Sequence, residues 1–159
     1  AALAGGKSVV VIRGSFVGGV AISGSKLTIV GRDDASITNI DKSGLSISGG
    51  DLYVRDITVK NSKPGISLTG GKLRFVGGAV SLNTGGVLVN GAGATLEMSG
   101  TTSLKPLNIT NNAGYGVNFT QGTGRFDNVT LLNNESGMVC SVPVTLNNVA
   151  GAVNSTCRM

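Results

Sequence analysis

Apolar residues alternate with polar ones along almost the whole chain, in short triplets separated by glycine, serine and asparagine. The clearest series is Val20/Ile22, Leu45/Ile47, Ile66/Leu68, Val87/Val89, Val117/Phe119 and Met138/Cys140, each set off by a preceding glycine. Successive copies are 25, 21, 21, 30 and 21 residues apart. Nine residues after each leading position stands another apolar residue, at Ile29, Val54, Phe75, Leu96 and Phe126, and in the sixth copy the nearest is Leu146. A third triplet follows as Ile57/Val59, Val80/Leu82, Leu107/Ile109 and Val129/Leu131. A period of two is strand spacing, and no glycine-free window carries the helical pattern.

Three short strands per repeat of about 21 residues describe a chain that coils and stacks on itself. Like strands of neighbouring coils then lie about 4.8 Å apart in parallel sheets. The expected architecture is all-β: a three-sheet parallel β-helix of about six to seven coils, wound right-handed as parallel crossovers are. Residues 1–159 form one domain, with 1–18 as N-terminal cap and first partial coil and 137–159 as irregular last coil and C-terminal cap. Glycine is expected at tight corners for its access to positive φ. Asn61, Asn83, Asn112 and Asn133, placed just before a new first strand, are expected to share that left-handed conformation and to stack their amides into a ladder.

The stretches "GLSISGGDLYVRDITVKNS", "GISLTGGKLRF" and "VKNSKPG" resemble coils of secreted bacterial right-handed parallel β-helix repeat proteins of the pectin-lyase-like superfamily. The likeness runs from about Val9 to about Val153. It implies the solenoid and a secreted or cell-surface location. It leaves function open, because solenoids host unrelated activities.

Composition narrows the function. The 159 residues include 26 Gly and only 13% charged residues, with a net charge of +5 spread from Lys7 to Arg158. No basic block or RNA-binding aromatic motif supports nucleic-acid binding, and no apolar run reaches the ~20 residues of a membrane span. Opening on Ala1 without a signal segment, the sequence reads as a mature or excised piece. Its first residues, "AALAGG", make a thin cap, which points to a longer parent chain or to end-to-end self-association. Cys140 and Cys157 are the only cysteines. A disulfide between them would pin the last coil and place the protein outside the cytosol. Two reduced, buried thiols are the alternative.

Two irregular steps mark insertions after the second strand, around "GRDDAS" (31–36) and "SGTTSLKP" (99–106). Asp33 and Asp34 in the first are the candidate metal ligands, set against a solvated turn beside Arg32. On the outward face of the second sheet the register gives Lys26/Thr28, Asp51/Tyr53/Arg55, Lys72/Arg74, Thr95/Glu97 and Arg125/Asp127. Tyr53, Arg55, Lys72, Arg74 and Arg125 are the candidate binding residues, offering a flat ring and cations to a glycan; a solvated mixed-charge sheet is the competing reading. Pectate-lyase-like and polygalacturonase-like sites need clustered acids, or several Asp with a His. This chain has no His, and only Asp33/Asp34 are adjacent acids. The expectation is therefore a non-enzymatic structural or interaction module that needs no cofactor and has glycans as candidate partners. The alternative is a polysaccharide lyase or hydrolase, or its remnant, with the insertions as active-site walls.

Overall fold

The computed structural model describes residues 8–157; the "AALAGG" cap lies outside the described residues. The chain is a parallel β-solenoid of about seven turns. Its strands are β1 (Ser8–Val17), β2 (Val20–Thr38), β3 (Leu45–Arg55), β4 (Thr58–Lys60), β5 (Ile66–Leu68), β6 (Gly71–Val76) and β7 (Ala79–Ser81). They continue as β8 (Val87–Val89), β9 (Ala94–Ser99), β10 (Leu107–Thr110), β11 (Tyr115–Phe119), β12 (Thr123–Leu132), β13 (Ser136–Cys140) and β14 (Thr145–Gly151). A 3-10 turn, Ser155–Cys157, follows.

Every strand-to-strand pairing is parallel and joins one coil to the next. In the first sheet Val20, Leu45, Ile66, Val87, Val117 and Met138 are successive partners, as the spacing predicts. Val153 then bridges to Met138. The third sheet stacks Phe16, Ile37, Val59, Val80, Ile109, Leu131 and Gly151. The second sheet departs from the sequence reading. Ile29, Val54, Phe75, Met98, Phe126 and Leu146 form its inward column, so Met98 replaces Leu96. The turn between Val89 and Ala94 is two residues longer than its equivalents, and Leu96 pairs with Leu73 instead. Side chains of period two hide such a shift, because Leu96 and Met98 face the same way.

Inward residues make one dry column of aliphatic and aromatic groups, with Phe119 and Phe126 edge to face at 6.4 Å between centroids. Glycine takes the expected positive φ at other corners, as at Gly50, Gly71, Gly77, Gly78 and Gly122, and at Gly19 ahead of Val20, but the remaining glycines ahead of the first sheet have a different role. Gly44, Gly65, Gly86, Gly116 and Gly137 have no left-handed φ. A Cβ on Gly86 would stand 2.2 Å from the carbonyl oxygen of Gly116, and one on Gly137 1.9 Å from that of Ala152. These corners need the missing side chain because the next coil's backbone passes directly over them.

Left-handed geometry also marks the next corner back, where Asn61, Leu82, Asn111 and Asn133 all have φ between 51° and 57°. The residue after each turns inward. Asn83 Oδ1 accepts from the Ser62 amide, Asn112 Oδ1 from the Asn83 amide and Asn134 Oδ1 from the Asn112 amide. The Nδ2 groups of Asn83, Asn112 and Asn134 donate to the carbonyls of Val59, Val80 and Ile109. The ladder is thus Ser62–Asn83–Asn112–Asn134. Asn61 and Asn133 serve the turn, and Leu82, expected inside, is 57% exposed.

Cys140 and Cys157 form a disulfide with Cα atoms 5.0 Å apart. It ties the 3-10 turn beneath the first sheet, helped by the Val144 amide donating to the Cys157 carbonyl. Among the described residues no helix is long and apolar enough to cross a membrane.

Candidate functional site

The second sheet's outer face carries three parallel columns, each running along the solenoid axis. One reads Lys26, Asp51, Lys72, Thr95 and Thr123. The central column reads Thr28, Tyr53, Arg74, Glu97, Arg125 and Thr145. The third reads Val30, Arg55, Val76, Ser99, Asp127 and Asn147. Tyr53 and Arg74 are direct neighbours, as expected, but Glu97 takes the place expected for Thr95. The two-residue shift thereby sets a carboxylate between Arg74 and Arg125.

Glu97 organises the face. Its Oε1 lies 2.8 Å from Lys72 Nζ and its Oε2 accepts from Arg74 Nε at 2.8 Å. Hydrogen bonds from Lys72 and then Arg74 hold its carboxyl below the usual carboxylate range, against the opposing effect of burial. The same hydrogen bond raises Arg74, followed by the charge of Glu97 and, more weakly, Tyr53 and Asp51. The remaining predicted residues have other partners. Arg55 turns to Asp56 at 3.2 Å, and Arg125 stands 3.9 Å from Asp127.

Three shallow depressions follow one another along this face and share walls. Lys26, Thr28, Asp51 and Tyr53 line the first, of about 120 Å³. Asp51, Tyr53, Lys72 and Arg74 line the second, of about 230 Å³. Arg74, Glu97, Arg125 and Asp127 line the third, of about 150 Å³. Each is below the 300–1,000 Å³ of an ordinary small-molecule pocket. Joined, they are an open trough about four coil spacings, or ~19 Å, long.

The comparisons give no relative. No family model, curated protein or solved structure matches the chain.

Asp33 and Asp34 occupy the corner between the second and third sheets, both with left-handed φ (53° and 57°). The insertion does not project as a loop. It is absorbed as a bulge within β2, where Asp33, Asp34 and Ala35 stand against Gly14 alone of β1. Asp33 is ion-paired with Arg13 at 2.5 Å, both side chains exposed. No group of three His, Cys, Asp or Glu side chains converges anywhere among the described residues. The second insertion lies at the same corner three coils on, and it does project. A Thr102–Lys105 antiparallel bridge closes its turn, the Asn128 side chain donates to the Thr102 carbonyl, and Leu104 at the tip is 91% exposed. Nothing in the apolar pattern marks Glu97 as the centre of the face; cross-strand register alone places it there.

Proposed function

We propose that this solenoid is a non-catalytic interaction module that works outside the cytosol and binds extended glycan chains along the outer face of its second sheet. The observation that carries the reading is the shared-wall trough from Lys26 to Asp127, which suits a linear polymer better than a compact ligand. Tyr53 offers an amphipathic ring, and the exposed guanidinium of Arg74 is held in place by Glu97, so its outer N–H groups are preorganised donors. A net charge of +5 favours uronate-bearing chains among the glycans.

The chemistry of the face supports binding without turnover. Glu97 is held ionised by two cations, which disqualifies it as a proton donor at neutral pH. Asp51, Glu97 and Asp127 fall in three different columns, not in one cluster. The disulfide supports an oxidising compartment. The resemblance of the coils to secreted pectin-lyase-like repeat proteins accords with the compartment and leaves function open.

A glycan array followed by calorimetry on polyuronate oligomers tests the reading. Binding is expected to weaken about tenfold or more in Tyr53→Ala and in Arg74→Ala, each removing an anchor of the trough. Silence across the array would remove glycan binding. New unsaturated or reducing ends on polyuronates, lost in Asp33→Ala/Asp34→Ala, would replace the reading with a polysaccharide-cleaving one.

A further inference from the structure

We propose that the trough selects a linear glycan with one carboxylate on every second sugar, an acidic sugar alternating with a neutral one. The selection rests on the glycan-binding reading and names its polymer class. Along the first and central columns of the face the sign of charge alternates coil by coil. Lys26 stands on one coil, Asp51 on the next, Lys72 and Arg74 on the third, Glu97 on the fourth and Arg125 on the fifth. Cations therefore recur on every second coil, ~10 Å apart, with a carboxylate midway between each pair.

Spacing and sign together set the match. An extended pyranose chain lying along the axis advances by about one coil spacing per sugar, so sugars and coils stay in step over the ~19 Å of the trough. A carboxylate over Lys26 puts the next one, two sugars on, at Lys72 and Arg74, and the third at Arg125. The sugars between them fall on Asp51 and Glu97. Ionised carboxylates accept hydrogen bonds from a neutral sugar's hydroxyl or amide groups and repel a second carboxylate. Tyr53, on the coil of Asp51 and beside Arg74, offers that neutral sugar an amphipathic ring. Glu97 also fixes the middle cations, since Lys72 and Arg74 both reach it at 2.8 Å.

The third column's charges have partners of their own. Arg55 turns to Asp56, and Asp127 accepts from the Asn147 side chain and lies 3.9 Å from Arg125. The Arg125 side chain is 63% exposed, which leaves guanidinium donors for a ligand. At physiological salt, charges more than ~8 Å apart are largely screened. A bound carboxylate therefore senses its own coil and the adjoining ones more than the net charge of the whole chain. A polymer with a carboxylate on every sugar gains attraction at the cation coils and meets repulsion at Asp51 and Glu97.

Calorimetry with oligosaccharides of two, four, six and eight sugars tests this in three series: glucuronate alternating with N-acetylglucosamine, oligogalacturonate, and neutral cello-oligosaccharide. Binding of the alternating series is expected to tighten about threefold with each added carboxylate, the size of an exposed ion pair, and to level off at six sugars, when the third carboxylate reaches Arg125. The alternating six-sugar chain should bind about threefold or more tighter than six-sugar oligogalacturonate, although it carries half as many carboxylates. Arg125→Ala should bring the levelling-off down to four sugars, and Asp51→Asn should narrow the gap between the two acidic series. Oligogalacturonate or the neutral series binding as tightly as the alternating one, or affinity rising smoothly past six sugars, would overturn the alternation and leave glycan binding standing. A levelling-off unmoved in Arg125→Ala, or a gap unchanged in Asp51→Asn, would also overturn it. Silence in all three series would overturn the glycan reading and this proposal with it. Should either variant fail a circular-dichroism check for folding, the length series on the unsubstituted protein decides alone.

Discussion

Asn112 is the most demanding position in the buried ladder, and its replacement gives a stability loss that can be worked out group by group. The side chain is 2% exposed. Its Nδ2 donates to the Val80 carbonyl at 3.1 Å and to Asn134 Oδ1 at 2.8 Å. Its Oδ1 accepts from the Asn83 amide at 3.1 Å and from Asn83 Nδ2 at 3.0 Å. In Asn112→Ala the Asn83 amide is stranded, whereas Asn83 Nδ2 keeps Val59 and Asn134 Oδ1 keeps the Asn112 amide. A stranded buried donor costs about 1–3 kcal/mol, and each of the other lost hydrogen bonds about 1 kcal/mol net. With three such bonds lost beside the stranded amide, the sum is about 4–6 kcal/mol. Asn112 is not one of the left-handed residues, so alanine adds no backbone strain to confuse the measurement. Thermal unfolding should therefore drop by ~8–24 °C for a chain of this size. Asn134→Ala, at the half-exposed end of the ladder where water replaces the amide, should cost about 1 kcal/mol. Urea titrations of both variants give the comparison. Equal losses, or a loss below about 1 kcal/mol at Asn112, would show that the ladder does not carry the corner.

Three further outcomes follow from the same coordinates. Leu82 holds a left-handed φ of 57° while more than half exposed, beside asparagines in the equivalent places; Leu82→Asn should raise stability by about 1 kcal/mol, seen as a higher melting temperature. Removing the bridge in Cys140→Ser/Cys157→Ser, which closes a loop of sequence separation 17, should cost about 3 kcal/mol in denaturant titration, and reductant should reproduce the loss in the unsubstituted protein. Glu97 has a folded-state pKa below its unfolded one, so its contribution is present above the ordinary carboxylate range and is lost as pH falls through the lowered value. Stability measured against pH should accordingly show an acid limb that Glu97→Gln flattens.

The sequence by itself determined the coil. Alternating apolar positions and the glycine ahead of each first strand specify which residues of neighbouring coils lie on one another, and Val20 through Met138 stack as that pattern requires. The cysteine pair was legible for the same reason, both residues falling in the last coil. Tertiary structure alone decided the rest. Leu96 and Met98 are two apart, so either satisfies the inward pattern, and only pairing with β6 selects Met98 and brings Glu97 against Arg74. In Asn111–Asn112 and Asn133–Asn134 the two residues are chemically identical, and the sign of φ decides which bends the chain and which enters the ladder. Local pattern fixes the face on which a side chain lies; its neighbour there depends on insertions elsewhere in the coil, which slide whole strands without disturbing the alternation.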